Sequence, residues 1–299
     1  ESDNERPSAW TYRDAVIRAL NQDMPFDQFV RWQVAGDVIK SDDPLAVSLT
    51  GFLTAGSTVT NVDGVDREKA TYDKMDDIVS ATGAAFLGLT IGCARCHDHK
   101  YDPISQKDYY RLVGFFLPGK PGHRNIAAGD SGSNVKALTW NGGNKRKNPL
   151  LKRGDVEQKK GDLGFGVLAA LSAGEGDVEP WIKLSEKKSG DGRVGLAHWL
   201  TDTENGSGSL LARVIVNRLW QHHFGEGIVK TSDNFGSVGE KPSHPELLEW
   251  LASELIETGW NLKSMHRLIM SSAVYRQGTQ WDEKRHAIDP ENKLLWRMK

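Results

Sequence analysis

The sequence predicts a mainly α-helical fold, two helical parts joined by a long irregular loop, and three observations predict it. Apolar residues recur at three- and four-residue spacing through most of both halves. Strand-type alternation is scarce. Between about Gly119 and Gly166, Gly, Lys, Asn and Asp crowd together with no period, which splits the helical text in two.

The elements follow in order. From Ser8 to Ile39 two helices are expected, the first with Trp10, Ala15, Val16 and Leu20 on one stripe, the second with Phe26, Phe29, Val30 and Val34. Pro25 separates them. A third helix is expected from Glu68 to about Leu89, where Tyr72, Met75, Ile78, Val79, Thr82 and Phe86 share helical spacing. It delivers the chain to Cys93 and Cys96. Ser105 with Asp108 resembles a capping box and opens a helix carrying Tyr109, Leu112, Val113 and Phe116, which Pro118 ends. After the central stretch, helices are expected at Val194–Leu200, Leu210–Phe224, His244–Thr258 and Leu262–Arg276. Ser243 with Glu246 reads as a second capping box and Asn261 as the cap of the last helix. No internal repeat is visible.

At 299 residues the chain can bury a core without disulfide staples. Its 38 basic and 40 acidic residues nearly cancel, so neither nucleic acid nor an anionic membrane is an expected partner. No run reaches the roughly 18 to 20 apolar residues that a membrane span needs, so no transmembrane segment is expected. The polar start at Glu1 lacks a signal-peptide pattern. It fits a trimmed mature terminus and a cut inside a longer protein equally well.

The only two cysteines are Cys93 and Cys96, which rules out a disulfide framework and concentrates chemistry at one place. Cys93-Ala94-Arg95-Cys96-His97 has the spacing that attaches haem c. Each thiol adds to one vinyl group, and the adjacent histidine becomes the proximal iron ligand. A zinc site built from Cys93, Cys96, His97 and His99 is the main rival, although adjacent Cys96 and His97 fit one tetrahedral ion poorly. A thioredoxin-like dithiol lacks the surrounding βαβ pattern.

For the opposite haem face His222 and His223 are the candidates, weighed against plain helix-end histidines favoured by the dipole. His99, too near His97 to reach that face, would contact a propionate or the backbone. Arg95, Lys100 and Arg213 are candidate propionate partners, with solvated charge as the ordinary alternative. His244 and His266, beside Met265, read as ordinary histidines. Asn61, Asp63 and Asp66 around Gly64 offer oxygen donors for calcium without the full loop pattern, so a polar turn competes with that reading. Trp10, Trp32, Trp199, Trp220, Trp250 and Trp260 could stack on sugars, but mostly fall on apolar stripes, as core residues do.

The run GLTIGCARCHDHKYDPI from Gly88 to Ile104, followed by KDYY from Lys107 to Tyr110, closely resembles the planctomycete-type cytochrome family, which combines the domains of unknown function 1549 and 1553. The second half carries the partner domain's blocks: LARVIVNRLWQHHFG from Leu211 to Gly225, DNFG from Asp233, HPELL from His244 and LIMSS from Leu268. The resemblance implies a cytochrome c-like haem-binding domain at 1–118, an irregular linker at 119–190 and a second helical domain at 191–299. It also implies an exported protein, often larger than this chain, with further segments or subunits and a link to polysaccharide breakdown. Haem c chemistry agrees on compartment, since haem c is assembled outside the cytoplasmic membrane, in the periplasm or beyond. Three functions stay open: electron transfer to a redox partner protein or oxidation of a small or carbohydrate-derived substrate; a peroxidase-like or gas-binding haem with an open distal side; and a glycan-binding scaffold in which haem is structural.

Overall fold

The computed structural model describes residues 6, 8–56, 63–128, 133–143, 146–172, 180–181, 183–184 and 190–298, and these are mainly α-helical. Helix α1 (Trp10–Asn21) buries Thr11, Ala15 and Ala19, while Trp10 and Leu20 stay 44% and 43% exposed. The expected stripe is thus buried at Ala15 and packed against the core at Val16, but its large ends, Trp10 and Leu20, face outward, and the small Ala19 takes their place. Small side chains let α1 lie close against its neighbours. Helix α2 (Phe26–Ile39) starts after Pro25 and buries Phe26, Phe29, Val30 and Val34 as the spacing predicts.

A short helix, α3 (Pro44–Leu49), follows. Asp43 caps it by accepting from the Leu45 and Ala46 amides, and Pro44 occupies the first turn, where no amide donor is needed. Six residues hold too few periods to be read from sequence. Helix α4 (Gly64–Thr82) runs into a single wide π turn over Gly83–Leu87 that ends at Gly88, whose φ of 58 lies in the left-handed region. The helix expected from Glu68 to Leu89 therefore begins earlier and closes through this turn. Helix α5 (Gln106–Phe116) opens with the predicted reciprocal bonds between Ser105 and Asp108.

The central stretch corrects the expectation of an irregular loop. Strand β1 (Lys120–Ala128) pairs antiparallel with β2 (Ser133–Asn141), placing Lys120 opposite Asn141 and Ala128 opposite Ser133. Proline, glycine, lysine and asparagine hide the pattern, because they are poor strand formers. Tertiary packing overrides that propensity. Ala137, Thr139 and Trp140 of β2 are fully buried, and the Thr139 hydroxyl bonds that of Thr50 in the 3₁₀ turn after α3. A second, two-residue pair joins β3 (Leu150–Leu151) to β4 (Lys159–Lys160).

The second half contains α6 (Gly192–Thr201), α7 (Gly208–Phe224), α8 (Pro245–Glu257), α9 (Leu262–Ser271) and α10 (Glu283–Ile288). Asn261 caps α9 from its side chain as expected. The predicted box at Ser243 and Glu246 does not form; Ser243 Oγ donates to the Ile228 carbonyl, and α8 starts at Pro245. Helix α6 lies against α2, and one apolar cluster spans both halves, with Val30 and Val34 from the first and Leu196, Trp199 and Leu200 from the second. Each such side chain removed from water contributes about 1.5–3 kcal/mol. No described helix is long and apolar enough to cross a membrane.

Candidate functional site

Cys93 lies on a 3₁₀ turn (Gly92–Arg95) that Cys96 closes as its C-cap, four residues after the π turn. Both thiols are free and exposed, while Ala94 between them is fully buried. Burial of the middle residue anchors the turn and leaves both sulfurs at the surface. Gly92 permits this approach, since a Cβ there would sit 3.0 Å from Ser80 Oγ on α4.

Two helices hold the turn. The Arg95 guanidinium bonds Asp73 and lies 3.3 Å from Asp76, both on α4. From α5, the Tyr110 hydroxyl and Gln106 Nε2 both donate to the Arg95 carbonyl, at 3.1 and 2.9 Å. Gln106 Nε2 also donates to the Leu151 carbonyl, tying β3 to the same point. The Tyr109 hydroxyl donates to Asp76 at 2.6 Å; burial first, and then that carboxylate, push its pKa far above the ordinary phenol range. Arg95 thus clamps the turn to α4 through Asp73 and Asp76.

His97 is exposed, and its Nδ1 donates to the Asp98 carbonyl at 2.7 Å in the tautomer that carries the proton there. That bond leaves Nε2 with a free lone pair and orients the ring, as partners of metal-binding imidazoles do. Two exposed thiols three residues apart and an adjacent imidazole with a free nitrogen are the donor set that covalent haem attachment requires. The zinc tetrad is not assembled. Among the described residues no three His, Cys, Asp or Glu side chains converge on a metal-sized site, and His99, whose side chain is buried, accepts at Nδ1 from the Asp102 amide at 2.9 Å.

The loop after the motif is gripped by the second half. Asp102 Oδ1 accepts from the Ser237 amide at 2.6 Å, and Ser237 Oγ donates to the Tyr101 carbonyl. The Phe235 amide donates to the Gly88 carbonyl at 2.7 Å, and Arg218 of α7 donates to the carbonyls of Ala84 and Ala85. A Cβ on Gly236 would fall 2.4 Å from Asp102 Oδ2, so any larger residue there would push the Asp102 carboxylate aside.

Most of the other candidates are engaged elsewhere. His222 is exposed, and His223 Nε2 lies 2.8 Å from His266 Nδ1 with the Tyr275 ring edge-on. Arg213 forms two bonds to Glu249, and Lys100 sits over the Tyr101 ring. His244 Nδ1 pairs with Ser243 Oγ. Asp63 pairs with Arg67, Asp66 is exposed, and Asn61 falls outside the described residues. Trp199, Trp220 and Trp260 are core residues, whereas Trp10 and Trp250 are 44% and 50% exposed. Sequence reasoning missed Asp73, Asp76 and Gln106; the first two share one face of α4 at i, i+3 spacing, the only signal available.

Residues 1–120 match the family model described as PSCyt2, protein of unknown function (DUF1549), and residues 192–299 match PSD1, protein of unknown function (DUF1553). No curated protein and no solved structure matches the chain.

Proposed function

We propose, for a chain that joins a DUF1549 domain to a DUF1553 domain, that Cys93 and Cys96 carry one haem c through thioether bonds and that His97 binds its iron. The carrying observation is the pair of free, exposed thiols on one short turn with the His97 imidazole held by the Asp98 carbonyl. When bound, the haem supplies one-electron chemistry. The chain's own residues hold the turn: Ala94 roots it in the core, Arg95 ties it to α4, and Tyr110 and Gln106 tie it to α5. The reading makes the protein an extracytoplasmic electron-transfer protein or haem-dependent oxidase serving a redox partner or small-molecule substrate. A carbohydrate-derived substrate is the choice that the family resemblance favours.

The test is expression with an export signal beside a c-type haem maturation system. A c-type α band in the pyridine haemochrome and an intact mass raised by one haem are expected, with both lost in C93S/C96S. An unmodified polypeptide under these conditions overturns the reading.

One observation favours a second reading. Of the two candidate distal ligands, His223 is already bonded to His266, and His222 is exposed at the helix end. If neither would reach the iron, the role is peroxidase-like or gas-binding, and carbon monoxide should shift the reduced spectrum. A spectrum indifferent to carbon monoxide and cyanide excludes it.

A further inference from the structure

Away from the cysteine turn, a cavity of about 890 Å³ opens between the end of α5, the base of the β1–β2 hairpin, the turns around Asn148 and Gly164, and the start of α6. That volume lies within the range of small-molecule sites. Glycines build the walls at van der Waals contact. A Cβ on Gly114 would meet the Gly164 carbonyl oxygen at 2.2 Å, and one on Gly119 would meet Trp140 Nε1 at 2.0 Å.

Two buried polar atoms of lining residues have no partner among the described residues. Trp140 Nε1 can only donate, and the residue is fully buried. Asn148 Nδ2 donates to the Tyr110 and Gly164 carbonyls at 2.5 and 2.6 Å, which fixes the amide's orientation and leaves Oδ1 as an unused acceptor. Unpaired buried donors and acceptors destabilise a fold unless something comes to meet them. Phe115 and Phe165, with ring centroids 5.1 Å apart, supply an apolar wall.

The described lining also carries four cations against three carboxylates. Arg193 is spent on Asp37 and Asp191, and Arg124 on Asp37. Arg146 and Lys147 remain. Both are exposed and form no ion pair within 4.0 Å among the described residues; Arg146 makes only a long 3.5 Å bond to the Leu117 carbonyl. Asp162 accepts from the Asn148 and Gly164 amides, bonds that lower its pKa and hold it charged near Lys147.

We propose that this cavity binds a small organic acid with a ring. The ring lies against Phe115 and Phe165 and the acid group meets Arg146 and Lys147; the Trp140 indole N–H and Asn148 Oδ1 lie just behind this wall, closed to solvent, and polar substituents meet them where the wall gives way. The site does not depend on whether the thiols carry haem. Tyr110 nevertheless joins the two places, since its hydroxyl holds the Arg95 carbonyl and its own carbonyl accepts from Asn148.

The test uses 8-anilinonaphthalene-1-sulfonate on the full chain, read by dye fluorescence and by quenching of tryptophan emission. Saturable one-to-one binding is expected, weakened by salt. Displacement by 4-hydroxybenzoate should be at least about tenfold more effective than by neutral 4-hydroxybenzyl alcohol, a ratio one bound charge can supply. R146E/K147E changes two exposed side chains and should weaken binding by about tenfold or more at unchanged Tm, and F165A should weaken it independently of salt. No saturable binding, equal displacement by acid and alcohol, or affinity unchanged in both variants overturns the proposal.

Discussion

At the scale of single residues, much of the chemistry lies in what each polar side chain is bonded to. Arg95 and Arg213 are both surface-type cations in the sequence, yet one clamps the cysteine turn through Asp73 and the other pairs with Glu249 on α8. His223 and His266 make a testable case. Burial, and then the neighbouring His266 and His222, lower the His223 pKa below its ordinary 6.5. The unfolded chain therefore binds a proton at this site more readily than the folded one, so stability is full above pH 6.5 and falls as pH drops through that value. Thermal unfolding from pH 7.5 to 5.5 should show a loss of Tm that H266Q makes smaller. An equal loss in both proteins refutes the assignment.

Among elements, the π turn and Gly88 matter most, because they redirect the chain from α4 into the cysteine turn. Gly88 sits at φ 58, its carbonyl accepts from Phe235, and a Cβ there would meet Phe235 Cδ2 at 2.8 Å and Val214 Cγ2 at 3.0 Å. A left-handed conformation costs a residue with a side chain about 1–2 kcal/mol, and the contacts add to it. G88A should lower unfolding stability by about 2–3 kcal/mol in urea melts. It should also weaken amide exchange protection at Phe235. The sequence pattern shows the helix leading here but not the turn, since a single wide turn leaves the apolar spacing almost unchanged.

For the molecule as a whole, the two family-matched stretches pack as one body across α2 and α6. Arg193 is 1% exposed and bonds Asp37 Oδ1 at 2.9 Å, Asp191 Oδ2 at 2.7 Å and the Val34 carbonyl. Removing Arg193 leaves the fully buried Asp37 carboxylate with only the part-exposed Arg124, at 3.4 Å, as its cation. R193A should therefore cost about 3–5 kcal/mol, and D37N/R193M, which deletes both charges, should cost clearly less. Denaturant melts of the three proteins decide this, and a double variant as unstable as R193A counts against it.

By itself the sequence determined the helices that carry long apolar periods, the caps at Ser105 and Asn261, and the close spacing of the two cysteines beside His97. Those features are local, since helical spacing and a cap each involve residues within a turn or two of one another. Only the tertiary structure decided that 120–128 pairs with 133–141, that the His99 side chain turns inward, and that Asp102 is held by Ser237. It also decided that Trp140 and Asn148 meet at one cavity. Such contacts join residues tens of positions apart, and no periodicity records them because their energy comes from burial and pairing that exist only once the halves have closed on each other.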